Sequence, residues 1–366
     1  MFHYRILIAA SVLQIVLLLF LPALNFLIKP IFRTKKWRFV ALAVFWAVCT
    51  AIWLASMWRI SPFSFRTGAG VLLCLIYALL TIPLIYIINI ILRFIFRQPT
   101  KTRHTFLRII ALPLFLLWFV WGVLSAYTPK TVYYSVNTHK TLEKPLKIAL
   151  ISDLHLGDFI GNRSLSRLNQ MLQNENPDLI LLAGDIMDDT PAKYRQDNMG
   201  AELAKIAAQY PVYAVLGNHD NYRGVQAEIE HEMQKAGVIL LRDKSVLFNN
   251  TIWLTGRRDK QEKQRLKPNQ LITDTMRQSN KPLLVIDHQP DQAMKNAAAG
   301  FDIQLSGHTH AGQSFPANFV IHLFQPFVYG KYDIDNMQLF VTSGYGLWGV
   351  PLRIGTRAEV VMIELK

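Results

Sequence analysis

Acidic residues are missing from the first third of this sequence, and cysteines are scarce throughout. The chain has 366 residues and two cysteines, Cys49 and Cys74, each inside an apolar run. Two such cysteines exclude a disulfide-stabilised fold and a cysteine-based zinc site, and each is expected to act as a small hydrophobic side chain. The first acidic residue is Glu143, and residues 1–128 carry 13 Lys and Arg without one Asp or Glu.

The formal net charge of +14 comes almost entirely from this acid-free segment. Residues 129–366 carry 26 basic and 25 acidic residues, so that part is nearly neutral. The near-neutral charge of residues 129–366 disfavours a nuclease, because tracking a phosphate backbone needs clustered Lys and Arg. The basic excess coincides with the most hydrophobic part of the chain, which indicates a membrane. We therefore expect membrane lipids as partners and no nucleic acid.

Four long apolar runs lie within residues 1–128, which we interpret as a region of four transmembrane helices. They cover approximately residues 6–28, 39–57, 71–96 and 106–126. Each run is long enough to cross a bilayer, which needs about 20 apolar residues. Buried core helices would not explain four such runs without an acid between them. A cleavable signal peptide also fits poorly, because the first run is too long and three more follow.

The basic residues of the connecting loops predict how these helices are oriented. The first and third loops are rich in Lys and Arg, whereas the second has only Arg59 and Arg66. The positive-inside rule places the first and third loops in the cytoplasm. We therefore expect residues 129–366 on the outer face of the inner (cell) membrane. The spans contain no ionisable side chains except Arg93 and Arg108 near helix ends, which favours an anchor over a transporter.

Residues 129–366 alternate between apolar strands and amphipathic helices, as is typical of an α/β fold. Strand-like segments lie at residues 131–137, 147–152, 179–183, 212–216, 283–286, 303–305 and 360–365. Five of these strands run directly into a motif of Asp, His or Asn. Because loops at the carboxyl ends of strands converge on one crevice, we expect these motifs to meet in space.

Seven side chains in these motifs form the predicted metal site: Asp153, His155, Asp185, Asn218, His288, His308 and His310. Imidazole, carboxylate and amide ligands without a thiolate suit Mn, Fe or Zn. Seven ligands are too many for one ion, whereas two divalent ions sharing a carboxylate use them all. Such a pair would clamp a phosphate ester and supply a bridging hydroxide for attack on phosphorus. Each motif alone is weak, but the set is specific.

The order Asp-Leu-His, Gly-Asp, Gly-Asn-His-Asp, a single His and Gly-His-Thr-His resembles that of the calcineurin-like metallophosphoesterase superfamily. Residues 153–157, 307–313 and the stretch from Thr342 to Glu359 resemble its membrane-associated bacterial branch. The resemblance covers roughly residues 131–366 and none of the apolar runs. It implies an α/β fold, a four-layer sandwich of two mixed β-sheets flanked by helices, with the metals at the sheet edges.

The resemblance also implies a role for each matching residue, with Asp185 shared between two ions. One ion would be bound by Asp153, His155, Asp185 and His310. The other would be bound by Asp185, Asn218, His288 and His308. His219, with Asn218, would bind the phosphate or protonate the leaving group, and Asp220 would orient the imidazole. A histidine beside a carboxylate keeps its tautomer and can deliver a proton near neutral pH.

Two other segments have more than one interpretation. Arg257 and Arg258 follow a strand-like segment and could grip a phosphate, although a solvated basic turn is the preferred interpretation. Residues 315–332 are rich in aromatic and apolar side chains, which suits either a core hairpin or a lip that contacts lipid. Three residues are candidates for lining the substrate pocket: Tyr222, Arg223 and Trp348.

The preferred function is a membrane-anchored, two-metal phosphoesterase that hydrolyses a phosphomonoester or phosphodiester of a membrane-associated molecule. One alternative is a pyrophosphatase of lipid A synthesis that cleaves UDP-diacylglucosamine. Members of the superfamily do this at the cytoplasmic face, so the predicted orientation disfavours it. A second alternative is a non-catalytic membrane scaffold, which is disfavoured because no ligand of the family pattern is missing. The sequence carries no signal for an oligomeric state.

Overall fold

The computed structural model describes the backbone of residues 2–57, 64–97, 99–138, 140, 142 and 144–366. The side chains of residues 2–10, 12, 57, 64 and 65 lie outside this description. The chain divides into two compact units, Met1–Trp121 and Gly122–Lys366. The boundary predicted after residue 128 therefore lies slightly later than the division in the structure. The last turns of the fourth helix belong to the second unit.

The first unit is made of apolar helices, which are α1 (Phe2–Ile28), α2 (Lys35–Met57), α3 (Ser64–Phe94) and most of α4 (Thr100–Tyr127). Among the described residues, three stretches are long and apolar enough to cross a membrane: Lys35–Ser56, Arg66–Phe94 and Thr100–Tyr127. In the most apolar 18 residues of each stretch, only 17%, 17% and 22% are buried, respectively. Such exposure suits helices that are surrounded by lipid.

The first predicted span, residues 6–28, is helical as well. Its described apolar part is Leu13–Ile28, which is shorter than a full span. The side chains of residues 6–10 and 12 lie outside the described set, so this span stays a prediction. Arg59 of the second loop also lies outside the described residues.

Two mixed six-stranded sheets form the centre of the second unit. The first has the order β1 (Lys130–Val136), β12 (Glu359–Leu365), β2 (Leu146–Ile151), β3 (Leu179–Ala183), β4 (Val212–Val215) and β5 (Ile239–Leu240). The second has the order β10 (Gly330–Ile334), β11 (Met337–Val341), β9 (Ile303–Ser306), β8 (Leu283–Ile286), β7 (Ile252–Gly256) and β6 (Lys244–Phe248). Strands β2 to β5 are parallel, and so are β11, β9, β8 and β7.

In the described part of this unit, eight α-helices accompany these sheets. They are α5 (Asn162–Glu175), α6 (Ala192–Gln196), α7 (Met199–Ala207), α8 (Gln226–Lys235), α9 (Pro268–Leu271), α10 (Asp274–Gln278), α11 (Ala293–Ala299) and α12 (Ala317–Val320). Strand β2 shows how the layers form, because its alternate side chains face opposite sides of the sheet. Ile148 and Leu150 pack with the second sheet, whereas Ala149 and Ile151 pack with residues of α5, α7 and α8.

A third cluster packs the outer face of the second sheet against α9, α10 and α11. The order of layers is therefore helix, sheet, sheet, helix, which confirms the predicted fold class. Strands β2, β3 and β4 run in one direction within the first sheet, and β8 and β9 do so in the second. Their carboxyl ends carry the predicted motifs, so the topology brings those motifs to a common edge.

Candidate metal centre

Three of the predicted ligands form one compact group: Asp153, His155 and His310. The Nε2 atoms of His155 and His310 lie 3.2 Å apart, and Nε2 of His310 lies 3.4 Å from Oδ1 of Asp153. Burial lowers the pKa of His155 to about 3 and that of His310 well below its usual value. Both rings are therefore neutral and suited to binding a cation through a ring nitrogen.

A second group contains Asp185, His288 and His308, with Asn218 beside it. Nε2 of His288 lies 3.2 Å from Oδ2 of Asp185 and 3.2 Å from Oδ1 of Asn218. Nδ1 of His288 donates to the carbonyl of Ala183 at 2.7 Å, which leaves Nε2 to face the site. Burial alone would lower the pKa of His288, but Asp185 outweighs it and raises that pKa to about 10. The group therefore attracts positive charge.

The carboxylate of Asp185 lies between the two groups. Its Oδ2 is 3.2 Å from Nε2 of His288 and 3.7 Å from Nε2 of His155. Its Oδ1 accepts the backbone N–H of His219 at 2.8 Å, which fixes the rotamer. Burial would raise the pKa of Asp185, but His288 outweighs burial and holds it well below the usual value. A charged carboxylate in this place can serve two cations at once.

The backbone around the site is unusual. Five of the predicted ligands have a positive φ between 45° and 72°: Asp153, His155, Asp185, His308 and His310. For residues other than glycine this conformation costs about 1–2 kcal/mol, and such strain is concentrated at functional sites. Glycine is also required at two motif positions, because side-chain atoms of the ligands approach the backbone there too closely for a Cβ. A Cβ on Gly217 would lie 2.1 Å from Oδ1 of Asp185, and one on Gly307 would lie 2.3 Å from Oδ2 of Asp153.

The structure corrects the partner of His219. Its Nδ1 donates to Oδ1 of Asp189 at 2.6 Å. The carboxylate of Asp220, which we expected to orient the imidazole, instead accepts backbone N–H groups at 2.8, 3.0 and 3.1 Å, those of Gly217, Met187 and Ile186. The prediction was wrong because neighbouring side chains on a tight turn project in different directions. The sequence feature that could have indicated Asp189 is the Asp188-Asp189 pair, which lies in the same loop as Asp185.

The Asp189 contact also determines the charge of His219. Burial would lower the pKa of His219, but the hydrogen bond to Asp189 outweighs it and raises that pKa. Burial would raise the pKa of Asp189, but the hydrogen bond from His219 and the charges of His219 and Arg223 lower it. The pair therefore favours the protonated form of the imidazole, as a proton donor requires.

Two of the predicted pocket residues, Tyr222 and Trp348, flank His219. Their ring centroids lie 4.7 Å and 5.9 Å from that of His219. The hydroxyl of Tyr222 accepts the side-chain N–H of Asn218 at 2.7 Å, which turns the amide oxygen towards His288. Arg223 is exposed, and its charge acts on Asp189.

Arg257 is buried, so its interpretation as a solvated turn was wrong. Its Nη1 donates to Oδ2 of Asp287 at 2.9 Å and to Oδ1 of Asn296 at 3.1 Å, and its Nη2 donates to the carbonyl of Leu266 at 2.9 Å. Asp287 directly precedes His288 and needs a cationic partner once it is buried. Arg257 therefore supports a ligand loop. Arg258 is partly buried and pairs with Glu262 at 2.8 Å.

Arg353 was missed as a functional residue, although the sequence around it carries part of the family resemblance. It is fully buried, and its Nη2 donates to the carbonyls of Ser343 at 2.7 Å and Gly346 at 2.8 Å. The same nitrogen lies 3.2 Å from Nδ1 of His310. Arg353 thus joins the loop after β11 to a ligand histidine.

Residues 315–332 do not form a core hairpin. The segment contains α12 and a 3₁₀ turn at Ile321–Leu323 before β10 begins at Gly330. Phe319, Leu323 and Phe324 are 67%, 79% and 76% exposed. Residues 317–324 therefore lie at the surface, whereas Val328 is buried and Phe327 and Tyr332 pack against the core of the second sheet.

A family model for the calcineurin-like phosphoesterases matches residues 146–312, which include every predicted ligand. The phosphodiesterase YaeI of Escherichia coli is 30% identical over 60% of this chain and 82% of its own length. The chain belongs to the calcineurin-like phosphoesterase family. Its Asp and His groups could hold metal, as family members normally do.

Other relatives share the same part of the chain. An uncharacterized metallophosphoesterase of Campylobacter jejuni is 31% identical over 62% of this chain, and a transmembrane protein with a metallophosphoesterase domain from Danio rerio is 31% identical over 68%. The matched regions span 60% of the length of each relative. The crystal structure of a dimetal phosphatase from Danio rerio is 12% identical, with a TM-score of 0.29 over 54% of this chain and 86% of that one.

The long apolar helices agree with the names of two relatives, which are called transmembrane proteins. This chain is a membrane protein.

Proposed function

We propose that this membrane protein hydrolyses a phosphomonoester or a phosphodiester with two divalent cations, Mn, Fe or Zn. The observation that carries the proposal is the position of Asp185, whose Oδ2 lies within 3.7 Å of ligand nitrogens from both groups. The neutral imidazoles of His155 and His310 suit such a cation, and the second cation would displace the proton that Asp185 keeps on His288. Asp153, His155 and His310 would hold one cation; His288, His308 and Asn218 would hold the other.

The chemistry divides between the cations and the side chains. Two divalent cations, when bound, neutralise charge on a phosphate and lower the pKa of a water molecule. His219 lies at this site, since its ring centroid is 4.8 Å from that of His155. Because Nδ1 of His219 is bonded to Asp189, its Nε2 is the atom that delivers a proton to the leaving oxygen. Asp189 keeps the ring oriented while this happens.

The test uses the full chain in detergent, stripped of metal and then titrated with Mn²⁺. We expect about two bound ions per chain by elemental analysis, as for a two-metal site. We also expect Mn²⁺-dependent hydrolysis of p-nitrophenyl phosphate or bis-p-nitrophenyl phosphate. Turnover that a chelator does not reduce would refute the proposal, and so would binding of no metal. Binding without turnover of either ester would favour the scaffold alternative.

We further propose that the phosphoesterase unit lies outside the cytoplasm, at the inner membrane. The support is the charge of the loops, because the first and third are basic and the second is poor in Lys and Arg. Fusions of alkaline phosphatase or green fluorescent protein to the C-terminus distinguish the two sides. A fluorescent and phosphatase-inactive result would contradict this orientation and favour the lipid A pyrophosphatase.

A further inference from the structure

We infer that residues 317–324 form an apolar lip that inserts into the surface of the bilayer and presents the phosphate of a membrane lipid to the metal centre. The choice of substrate rests on the proposed function, whereas the contact with the membrane does not. The reaction would form a bond between a water oxygen and phosphorus and break the bond from phosphorus to the lipid alcohol. That alcohol would receive its proton from His219.

The first argument is the exposure of the apolar lip. Phe319, Leu323 and Phe324 are large, lie within six residues of one another and are each more than two thirds exposed. Val320 adds a further exposed side chain to the same segment. Single exposed apolar residues are common on soluble proteins, but a cluster of this kind marks a binding surface. Burying such side chains in lipid removes their apolar surface from water and so favours insertion.

The second argument is where the apolar lip lies. The backbone N–H of Phe315, just before the lip, donates to the carbonyl of Ile354 at 2.8 Å. A Cβ on Gly122 would lie 3.1 Å from Cγ1 of Ile354, and the carbonyl of Gly122 accepts the N–H of Arg353 at 2.9 Å. Gly122 belongs to the last turns of α4, an apolar helix long enough to span a bilayer. Phe315, which precedes the lip, and Gly122 in the last turns of α4 therefore contact the same residue, Ile354.

The third argument is charge. Residues 303–332 and 336–358, which carry the apolar lip and its neighbouring loops, contain no Asp or Glu. The exposed Arg357 donates through Nε to the carbonyl of Thr128 at 2.7 Å, immediately after the end of α4. The apolar lip itself has no carboxylate, and a basic side chain beside the end of α4 suits anionic lipid headgroups. The partly exposed rings of Tyr329 and Trp348 match the aromatic residues that are enriched at membrane interfaces.

The fourth argument joins the apolar lip to the site. Gln313 follows the ligand His310 by three residues, and its Oε1 accepts the N–H of Trp348 at 2.9 Å. The ring of Trp348 in turn lies 5.9 Å from that of His219. The same short stretch of chain therefore carries a metal ligand at one end and the lip at the other. Insertion of the lip would hold the metal centre at the level of lipid headgroups, which favours a phospholipid over a soluble ester.

The membrane contact is tested without any measurement of activity. In the full chain with Cys49→Ala and Cys74→Ala, a nitroxide is attached at Phe324→Cys and the protein is reconstituted into vesicles of phosphatidylethanolamine and phosphatidylglycerol. We expect the label to collide with oxygen and to be protected from a water-soluble nickel chelate. The matched control is Ile239→Cys, an exposed apolar position in β5. Equal access of the chelate to both labels would overturn the inference.

The substrate class is tested with Phe319→Ser, Leu323→Ser and Phe324→Ser combined in the reconstituted full chain. Turnover is compared between phosphatidic acid or phosphatidylglycerol in vesicles and a soluble p-nitrophenyl ester. We expect the ratio of lipid to soluble turnover to fall by about 10-fold or more, because the lost apolar contacts act only at the membrane. Combined Ile239→Ser, Leu247→Ser and Met294→Ser should leave the ratio unchanged.

The outcomes separate the two proposals. An unchanged ratio, or turnover of the soluble ester with neither lipid hydrolysed, would overturn the lipid substrate while the phosphoesterase activity stands. A label at position 324 that is buried in lipid, without turnover of any ester, would refute the proposed function but support the membrane contact.

Discussion

Up to Trp121 the chain has 13 basic side chains and no carboxylate, whereas from Gly122 onwards carboxylates, imidazoles and guanidinium groups are buried together. In the first unit charge lies mainly in loops and at helix ends, where it orients the helices. In the second unit Asp153, Asp185 and His288 are almost fully buried. Asp185 lies beside the imidazole of His288, and Asp153 lies beside that of His310. The same chain therefore keeps charge out of one apolar interior and concentrates it in another.

The difference follows from the cost of burying a charge. An isolated buried charge is so unfavourable that it is tolerated only with a partner or a metal. The helices of the first unit offer no carboxylate partner, so a charge within them would stay unpaired. In the second unit several loops supply partners, so charged side chains can be buried there and remain available for chemical roles.

The largest expected effect comes from removing the carboxylate between the two ligand groups. Asp185→Asn keeps the shape but cannot neutralise two cations, so kcat/KM with Mn²⁺ should fall by more than the roughly 10–100-fold that loss of an outer ligand partner costs. Asp335→Asn, in an exposed turn, is the matched control. Activity within a few-fold of the parent protein would show that Asp185 is not shared.

The next effect concerns the buried pair that supports His288. Arg257→Met leaves Asp287 with only Arg265 as a cationic partner at 2.6 Å, so the free energy of unfolding should fall by about 3 kcal/mol. Chemical unfolding of the full chain in detergent measures the loss. Arg195→Met removes an exposed ion pair with Glu228 and should cost much less. Similar losses in the two variants would mean that burial does not distinguish these pairs.

A carboxylate placed in the first unit tests the other side of the comparison. Leu116 lies within α4 with its side chain about half exposed. Leu116→Asp should make membrane insertion of this helix less favourable by about 3 kcal/mol, since no partner is available in lipid. The fraction of the chain that resists alkaline extraction from membranes should decrease, whereas Leu116→Ala should behave as the parent does. Undiminished retention of the Asp variant would argue against this helix facing lipid.

The smallest expected effect distinguishes the roles of Asp189 and Asp220 in the second unit. Asp189→Asn should lower kcat by about 10–100-fold, because the imidazole of His219 loses its orienting partner. Asp220→Asn should instead lower the free energy of unfolding by about 1–3 kcal/mol, because buried backbone N–H groups lose their acceptor. Steady-state kinetics and chemical unfolding of both variants provide the measurement. The reverse assignment of the two losses would restore Asp220 as the orienting residue.

Much of the fold could be predicted from local patterns. Apolar runs such as residues 179–183 and 283–286 are strands in the structure with the same bounds, because a strand buried on both faces is continuously hydrophobic. Short edge strands were harder to predict. Ile239–Leu240 has only two residues, and its pairing with β4 depends on a neighbour that is distant in sequence.

The proximity of the seven candidate ligands was also predictable, since parallel strands end at a common edge. The structure brings Asp153, His155 and His310 together although 157 residues separate the first from the last. The support around them was not predictable. Arg257 and Arg353 look like surface residues in the sequence, and only their burial against Asp287 and His310 shows otherwise.

The sequence by itself determined that one part of this protein is apolar and free of acids and that the other alternates strands with helices and ends five strands in polar motifs. Those properties depend on composition and short-range periodicity, which a linear sequence contains in full. Only the tertiary structure decided that Asp189 rather than Asp220 contacts His219, and that residues 317–324 lie at the surface. The direction of a side chain on a tight turn, and the burial of a loop, depend on packing between segments that are far apart in the chain.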